Sequence, residues 1–227
     1  MNRPWRSCDG QRTIPLLQRR AQGTPRLTVY ALKPRFQALL RPMVGRLAAA
    51  GVTANQVTVL AAVGSILVGA LAALVGGAAF LLVPAWFLVR MALNATDGML
   101  AREHGQASRL GAYLNEIGDL VSDAALYAPF ALVAPFGPAG IALVVLLAWL
   151  TEIAGILGPT IGADRRYDGP FGKSDRAIAF GALGLGVGLG WTLPGWFGWT
   201  IAVVALLLIA TTVNRARAAI AETAPRP

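Results

Sequence analysis

The chain has 227 residues, is 56% hydrophobic and only 14% charged, and carries a net charge of +9. Soluble domains carry about 25% charged residues, and several apolar stretches here approach the ~20 residues that cross a hydrocarbon core, so a water-soluble enzyme is excluded as the default and a polytopic helical membrane protein takes its place. The alternating pattern of a closed barrel is absent, the positive charge points to loops facing anionic lipid headgroups rather than to nucleic acid, and the single cysteine, Cys8, excludes an internal disulfide.

Residues 1–32 carry Arg3, Arg6, Arg12, Arg19, Arg20 and Arg26 among prolines and polar residues and read as a basic, disordered arm without the apolar core of a signal peptide. From 33 to 214 the chain reads as one membrane domain, followed by a tail over 215–227. Phe36, Leu39, Leu40, Met43, Val44 and Leu47 recur at helical spacing between Arg35, Arg41 and Arg46, which predicts an amphipathic juxtamembrane helix over 34–49. Pro42 is expected to kink or split it. Thr53 is a predicted N-cap, and six transmembrane helices follow near 55–75, 80–101, 111–132, 139–161, 176–192 and 197–213. In the fifth, the pairs Gly184/Gly188 and Gly186/Gly190 have the spacing that lets helices approach closely.

The connections near 76–79, 133–138 and 193–196 carry no charge, whereas the opposite ones hold Arg102 and Arg109, then Arg165, Arg166, Lys173 and Arg176, then Arg215, Arg217 and Arg226. Positive residues stay on the cytoplasmic side. Both termini and the two charged loops are therefore expected there, with Trp191, Trp196 and Trp199 forming a belt on the far face.

Polar residues inside a membrane are costly and mark functional sites. They cluster at one end of spans two and three: Asn94, Asp97, Gly98, Ala101 and Arg102, then Gly111, Asn115, Glu116, Asp119 and Asp123. Positions 94, 97, 98 and 101 share one helical face, as do 111, 115, 119 and 123. The short connection makes the two spans antiparallel neighbours, so the faces can meet. Small residues at 98, 101 and 111 leave room for a flat ligand, and carboxylates around it suit a hard divalent cation.

This spacing resembles the signature of the CDP-alcohol phosphotransferases (CDP-alcohol phosphatidyltransferases), D-x2-D-G-x2-A-R-x8-G-x3-D-x3-D. Asp97, Gly98, Ala101, Arg102, Gly111 and Asp119 match it, and Ser108 resembles a serine often found three residues before the glycine. Val52-Thr53-Ala54-Asn55-Gln56-Val57-Thr58 resembles the family's lead-in to its first span, and Gly172-Lys173-Ser174-Asp175-Arg176 its basic segment before the fifth. The chain departs from the signature at its first and third aspartates, which are Asn94 and Asn115. Two nearby carboxylates could compensate, rotating the site towards Glu116 or deepening it towards Asp123. Alternatively, Asp123 pairs with Arg90 or with another helix; Glu152 is a further candidate partner for Arg90 and equally a candidate acceptor-site group.

The resemblance implies a phospholipid-synthesising transferase that moves a phosphatidyl or related phospho-alcohol group from a CDP-alcohol such as CDP-diacylglycerol to an acceptor alcohol, releasing CMP. It implies Mg²⁺ or Mn²⁺ held by Asp97, Asp119, Asn94, Asn115, Glu116 or Asp123, and Asp119 as the general base. Gly98, Ala101, Arg102, Ser108 and Gly111 would hold the nucleotide and diphosphate, while Lys173, Arg176, Arg165 and Arg166 would hold the acceptor, leaning towards a phosphorylated one. Homodimers are common in the family. His104 reads as a solvated loop residue, and Gly172-Lys173-Ser174 is no P-loop because Tyr167 stands where its first glycine belongs. The rival readings are an inactive CDP-lipid-binding relative or membrane scaffold, and a small transporter.

Overall fold

The computed structural model describes residues 33–224; the basic arm over 1–32 and Arg226 lie outside the described residues. The described part is helical, and no strand occurs in it. Helix α1 runs over Lys33–Ala49, α2 over Ala54–Val75, α3 over Leu82–Glu103, α4 over Arg109–Tyr127, α5 over Gly137–Leu157, α6 over Lys173–Gly188 and α7 over Thr200–Thr223. Of the described residues, 40–224 fall in one compact unit.

The helix starts are written in the sequence. Thr53 Oγ1 accepts from the Gln56 N–H at 3.2 Å while the Gln56 side chain accepts from the Thr53 N–H at 2.9 Å, a reciprocal cap that satisfies two otherwise orphaned donors. Ser108 caps α4 with a single bond, accepting from the Gly111 N–H at 2.9 Å. At α6 the Asp175 carboxylate accepts from the Gly172 N–H at 2.8 Å, so the helix begins at Lys173 and not at Arg176 as the spacing suggested. It ends at Gly188, two residues before Gly190 turns left-handed at φ 85°. Pro42 does not split α1, which is one uninterrupted helix around it. The last helix continues past the expected boundary at 214 as far as Thr223.

Among the described residues four segments are long and apolar enough to cross a membrane: Ala54–Val75, Gly77–Glu103, Gly137–Ile161 and Gly195–Thr223. The other two helices placed among the six expected spans fall short of that. Helix α6 has only 16 residues, and α4 carries Asn115, Glu116, Asp119 and Asp123 along its length. Both instead line the polar interior of the bundle. Large apolar side chains such as Leu60, Leu67, Leu74, Leu88 and Leu206 stand more than half exposed on the outside, an extent of apolar surface that marks contact with lipid or protein.

Helix α2 packs against both α3 and α4, and α6 packs on α3 while α5 packs on α7. The polar faces of α3 and α4 meet as the spacing suggested, through Arg90 and Asn94 on one and Asp119 and Asp123 on the other, while α2 is the main packing partner of each. Close approach needs small residues, and a Cβ on Gly69 of α2 would stand 2.0 Å from the Ala125 carbonyl oxygen of α4. Gly184 and Gly188 likewise face Phe80, Leu81 and Val83 at the start of α3, as their spacing predicted. Gly186 and Gly190 do not act as a second such pair, because Gly186 lies under Trp191 and Gly190 ends the helix. An aromatic cluster closes the bundle below the polar residues: Tyr127 stacks on Phe180 at 4.0 Å, and Phe130 meets both Phe180 and Phe80 edge-on.

Candidate active site

The polar residues form two tiers at the end of the bundle that bears the loops 104–108 and 162–172. In the upper tier Asp97 of α3 is buried, and its Oδ2 accepts from Thr58 Oγ1 of α2 at 2.8 Å. One turn back on α3, Asn94 donates from Nδ2 to Asp119 Oδ1 of α4 at 3.2 Å. The same carboxylate receives Arg90 Nη2 at 3.1 Å, and its Oδ2 is ion-paired with Lys173 at the start of α6. Asp119 keeps 18% of its side chain accessible and Lys173 33%, so these are the members of the cluster that a ligand can reach.

The lower tier lies one helical turn deeper. Arg90 Nη1 meets Asp123 Oδ1 at 2.6 Å, and Arg176 Nη2 meets Asp123 Oδ2 and Glu152 Oε1, both at 2.9 Å. Arg176 also donates to Thr151 Oγ1 at 3.1 Å. Arg215 of α7 reaches the Thr151 carbonyl at 2.5 Å and lies 3.4 Å from Glu152 Oε2. An isolated buried charge costs several kcal/mol; every cation here has a counter-charge, whereas Asp97 is held by the Thr58 hydroxyl. Arg90, Lys173, Arg176 and Arg215 face Asp97, Asp119, Asp123 and Glu152, four cations against four carboxylates.

Two of the carboxylates weighed as compensating ligands are thus engaged by arginines. Asp123 is held from both sides by Arg90 and Arg176, the pairing anticipated as the alternative. Glu116 takes a two-pronged ion pair from Arg165, with Nη2 to Oε2 at 2.9 Å. Burial works against the Arg165 charge, but the Glu116 carboxylate outweighs it and raises the guanidinium pKa above its usual value. Asn115 approaches only Glu116, at 3.5 Å.

The glycines of the motif mark close approaches. A Cβ on Gly98 would come within 2.9 Å of Arg102 Nη2, so the Arg102 guanidinium folds back over its own helix. A Cβ on Gly111 would lie 2.7 Å from Asn55 Oδ1. Ala101 is half-buried beside them. Ser108 is accounted for as the cap of α4. Among the basic residues expected to meet an acceptor, Arg166 is paired with Asp168 and Glu222, and Arg176 is fully buried.

Sequence reasoning missed the part played by α2. Thr58 and Asn55 were read only as a lead-in to the first span, although a Thr one helical turn after a cap is placed to reach a neighbouring helix. The joint anchoring of Arg176 and Arg215 on Glu152 and Thr151 had no signal beyond the cost of leaving them unpaired.

An apolar-surfaced helical bundle with a charged, partly open cluster at one end is the arrangement of a membrane protein that works on a polar ligand at the lipid boundary. Residues 51–212 match the CDP-alcohol phosphatidyltransferase family, and the chain belongs to that family, whose members are integral membrane transferases of phospholipid biosynthesis. It is 46% identical over 195 residues to the inner membrane protein YnbA of Escherichia coli (strain K12), a match spanning 84% of this chain and 96% of that protein. Its fold is similar to that of Mycobacterium tuberculosis phosphatidylinositol phosphate synthase (PgsA1), solved with CDP-DAG bound, at a TM-score of 0.61 and 20% identity over 82% of this chain and 96% of the other.

The family generally uses divalent metal ions. The residues of this site do not fit one as they stand. Among the described residues no three side chains of His, Cys, Asp or Glu converge on a common point. Both oxygens of Asp119 already face an amide or a cation, and the Asn94 amide turns a donor, not a ligand oxygen, towards it.

Proposed function

We propose that the protein transfers a phosphatidyl or related phospho-alcohol group from a CDP-alcohol, CDP-diacylglycerol being the leading candidate, to an acceptor alcohol with release of CMP. The observation that carries this reading is Asp119: a carboxylate fixed on one oxygen by Asn94 and Arg90, bridged on the other by an accessible lysine, and set beside the Asp97-Gly98…Ala101-Arg102 motif.

The steps follow from the residues. The diphosphate enters above Gly98 and Gly111, where the Arg102 guanidinium stands over the first glycine and the Asn55 amide and Ser108 hydroxyl over the second. Lys173, one-third exposed, turns from Asp119 Oδ2 to the incoming phosphate, as a flexible ammonium does when offered a more highly charged partner. Oδ2 is then unoccupied while Oδ1 stays held. The acceptor hydroxyl attacks the β-phosphorus, its proton passes to Asp119 Oδ2, the new O–P bond forms, and the bond to the CMP oxygen breaks. Arg102 and Lys173 stabilise the charge that develops on the departing phosphate. Asp97, fixed by Thr58, and Asn115 line the remaining wall. The acceptor enters beside Arg165 and Arg166.

In this reading the six helices α2 to α7 all span the membrane, the short α6 and the polar α4 crossing inside the bundle with the other four around them. Both termini and the site lie on the cytoplasmic side of an inner or plasma membrane, as the distribution of Arg and Lys supports.

Purified protein in detergent or nanodiscs is given CDP-diacylglycerol and a panel of acceptor alcohols, and CMP is measured. CMP should appear with one acceptor and fall by at least about 100-fold in Asp119→Asn, which keeps the shape but cannot take the proton. No CMP with any acceptor, from protein that binds CDP-diacylglycerol, would favour an inactive lipid-binding relative instead.

A further inference from the structure

We infer that this site binds its CDP-lipid without a resident divalent cation, its own lysine and arginines supplying the positive charge; the inference rests on the reading of the protein as a CDP-alcohol transferase. Three observations carry it. The first is Asn94. An aspartate there would place a second carboxylate about 3.2 Å from Asp119 Oδ1, and two carboxylates so close cannot both stay ionised without a cation or proton between them. Asparagine removes that need by donating a hydrogen bond directly. The second is Lys173, whose ammonium sits on Asp119 Oδ2, where a bridging metal would otherwise take its oxygen ligand.

The third is the charge of the whole cluster. Arg90, Lys173, Arg176 and Arg215 pair with Asp119, Asp123 and Glu152, and Asp97, held by the Thr58 hydroxyl, brings the carboxylates to the same number. Aspartates at 94 and 115 would add two negative charges, the charge one divalent ion neutralises. With asparagine at both positions the cluster is neutral as built. A divalent ion entering it would displace Lys173 and leave an excess of positive charge. Glu116 and Asp123 offer no substitute, since arginines hold both.

The test measures binding as well as turnover. CDP-diacylglycerol affinity of the purified wild-type protein is compared in EDTA and in Mn²⁺, and free Mn²⁺ is followed by its electron paramagnetic resonance signal. The expected result is an affinity that differs by less than about threefold between the two conditions, with no Mn²⁺ taken up in the presence of the lipid. In Asn94→Asp/Asn115→Asp the balance shifts and Mn²⁺ uptake should appear. Lys173→Met should weaken lipid binding in EDTA by about tenfold, and Mn²⁺ should restore part of it. Wild-type binding that collapses in EDTA by roughly 100-fold or more, as loss of a bridging ion requires, would overturn the inference and leave the transferase reading standing. Failure to bind CDP-diacylglycerol in either condition would overturn both. The wild-type comparison decides the matter even if the double variant does not fold.

Discussion

Thr58 makes a single 2.8 Å hydrogen bond to a carboxylate in the upper tier, and that carboxylate is buried. Leaving such a group without its donor costs about 1–3 kcal/mol, and Asp97 would relieve the loss by swinging towards the open side of the site. Thr58→Val, nearly the same shape, should therefore lower the melting temperature of the purified protein and cut CMP release by about tenfold or more, while Thr58→Ser, which keeps the hydroxyl, should retain most of both. A Val variant as active as wild type would show that Asp97 needs no anchor. At this scale the candidate site was legible in part. The types and spacing of Asn94, Asp97, Gly98, Asp119 and Asp123 announced a polar cluster, because charge inside an apolar helix has few other reasons to be there. Their partners were not legible. Lys173 and Arg176 looked equivalent in the sequence. Only the start of α6 at Gly172 separates them, with the first at the mouth of the site and the second, three residues along the helix, sealed between Asp123 and Glu152.

Helices α2 and α4 hold the site open to its width, and Gly69 sets how closely they meet. The atom a methyl group would strike there is the Ala125 backbone oxygen, 2.0 Å away, which cannot rotate aside. Gly69→Ala should force the helices apart, destabilise the protein by about 1–3 kcal/mol as overpacked interiors do, and reduce CMP release because α2 carries Thr58 and α4 carries Asp119. Gly45→Ala, in the interior of α1 with nothing within 4 Å, is the matched control and should gain about 0.5–1 kcal/mol of helix stability. Thermal melting of both variants by intrinsic tryptophan fluorescence separates the two effects. The helices themselves were readable from apolar runs and from the caps at Thr53 and Ser108. Their neighbours were not: a short loop between α3 and α4 says that they run antiparallel, but the small residues that let α2 pack so closely on α4 decide which surfaces touch.

The distribution of charge over the whole chain predicts its sidedness. In a Cys8→Ser background, single cysteines at the exposed positions Ala107 or Tyr167 should be labelled by an impermeant maleimide only from the cytoplasmic side, and cysteines at Ala78 or Gly195 only from the opposite side. Labelling of the site in the 162–172 loop from the far side, or of the site at 195 from the cytoplasmic side, would overturn the six-span arrangement and leave α4 or α6 short of crossing.

The two-tier cluster also dictates an order of events during synthesis. Arg90 is made before Asp119 and Asp123, Asp123 before Arg176, and Glu152 before Arg215. Helices α3 and α5 thus leave the ribosome carrying Arg90 and Glu152, charges none of whose counter-ions yet exists. A helix in that condition is a poor candidate for release into lipid on its own. The nascent chain has to wait, sheltered at the insertion machinery, until its last helix delivers Arg215 and the bundle can leave as a neutral whole.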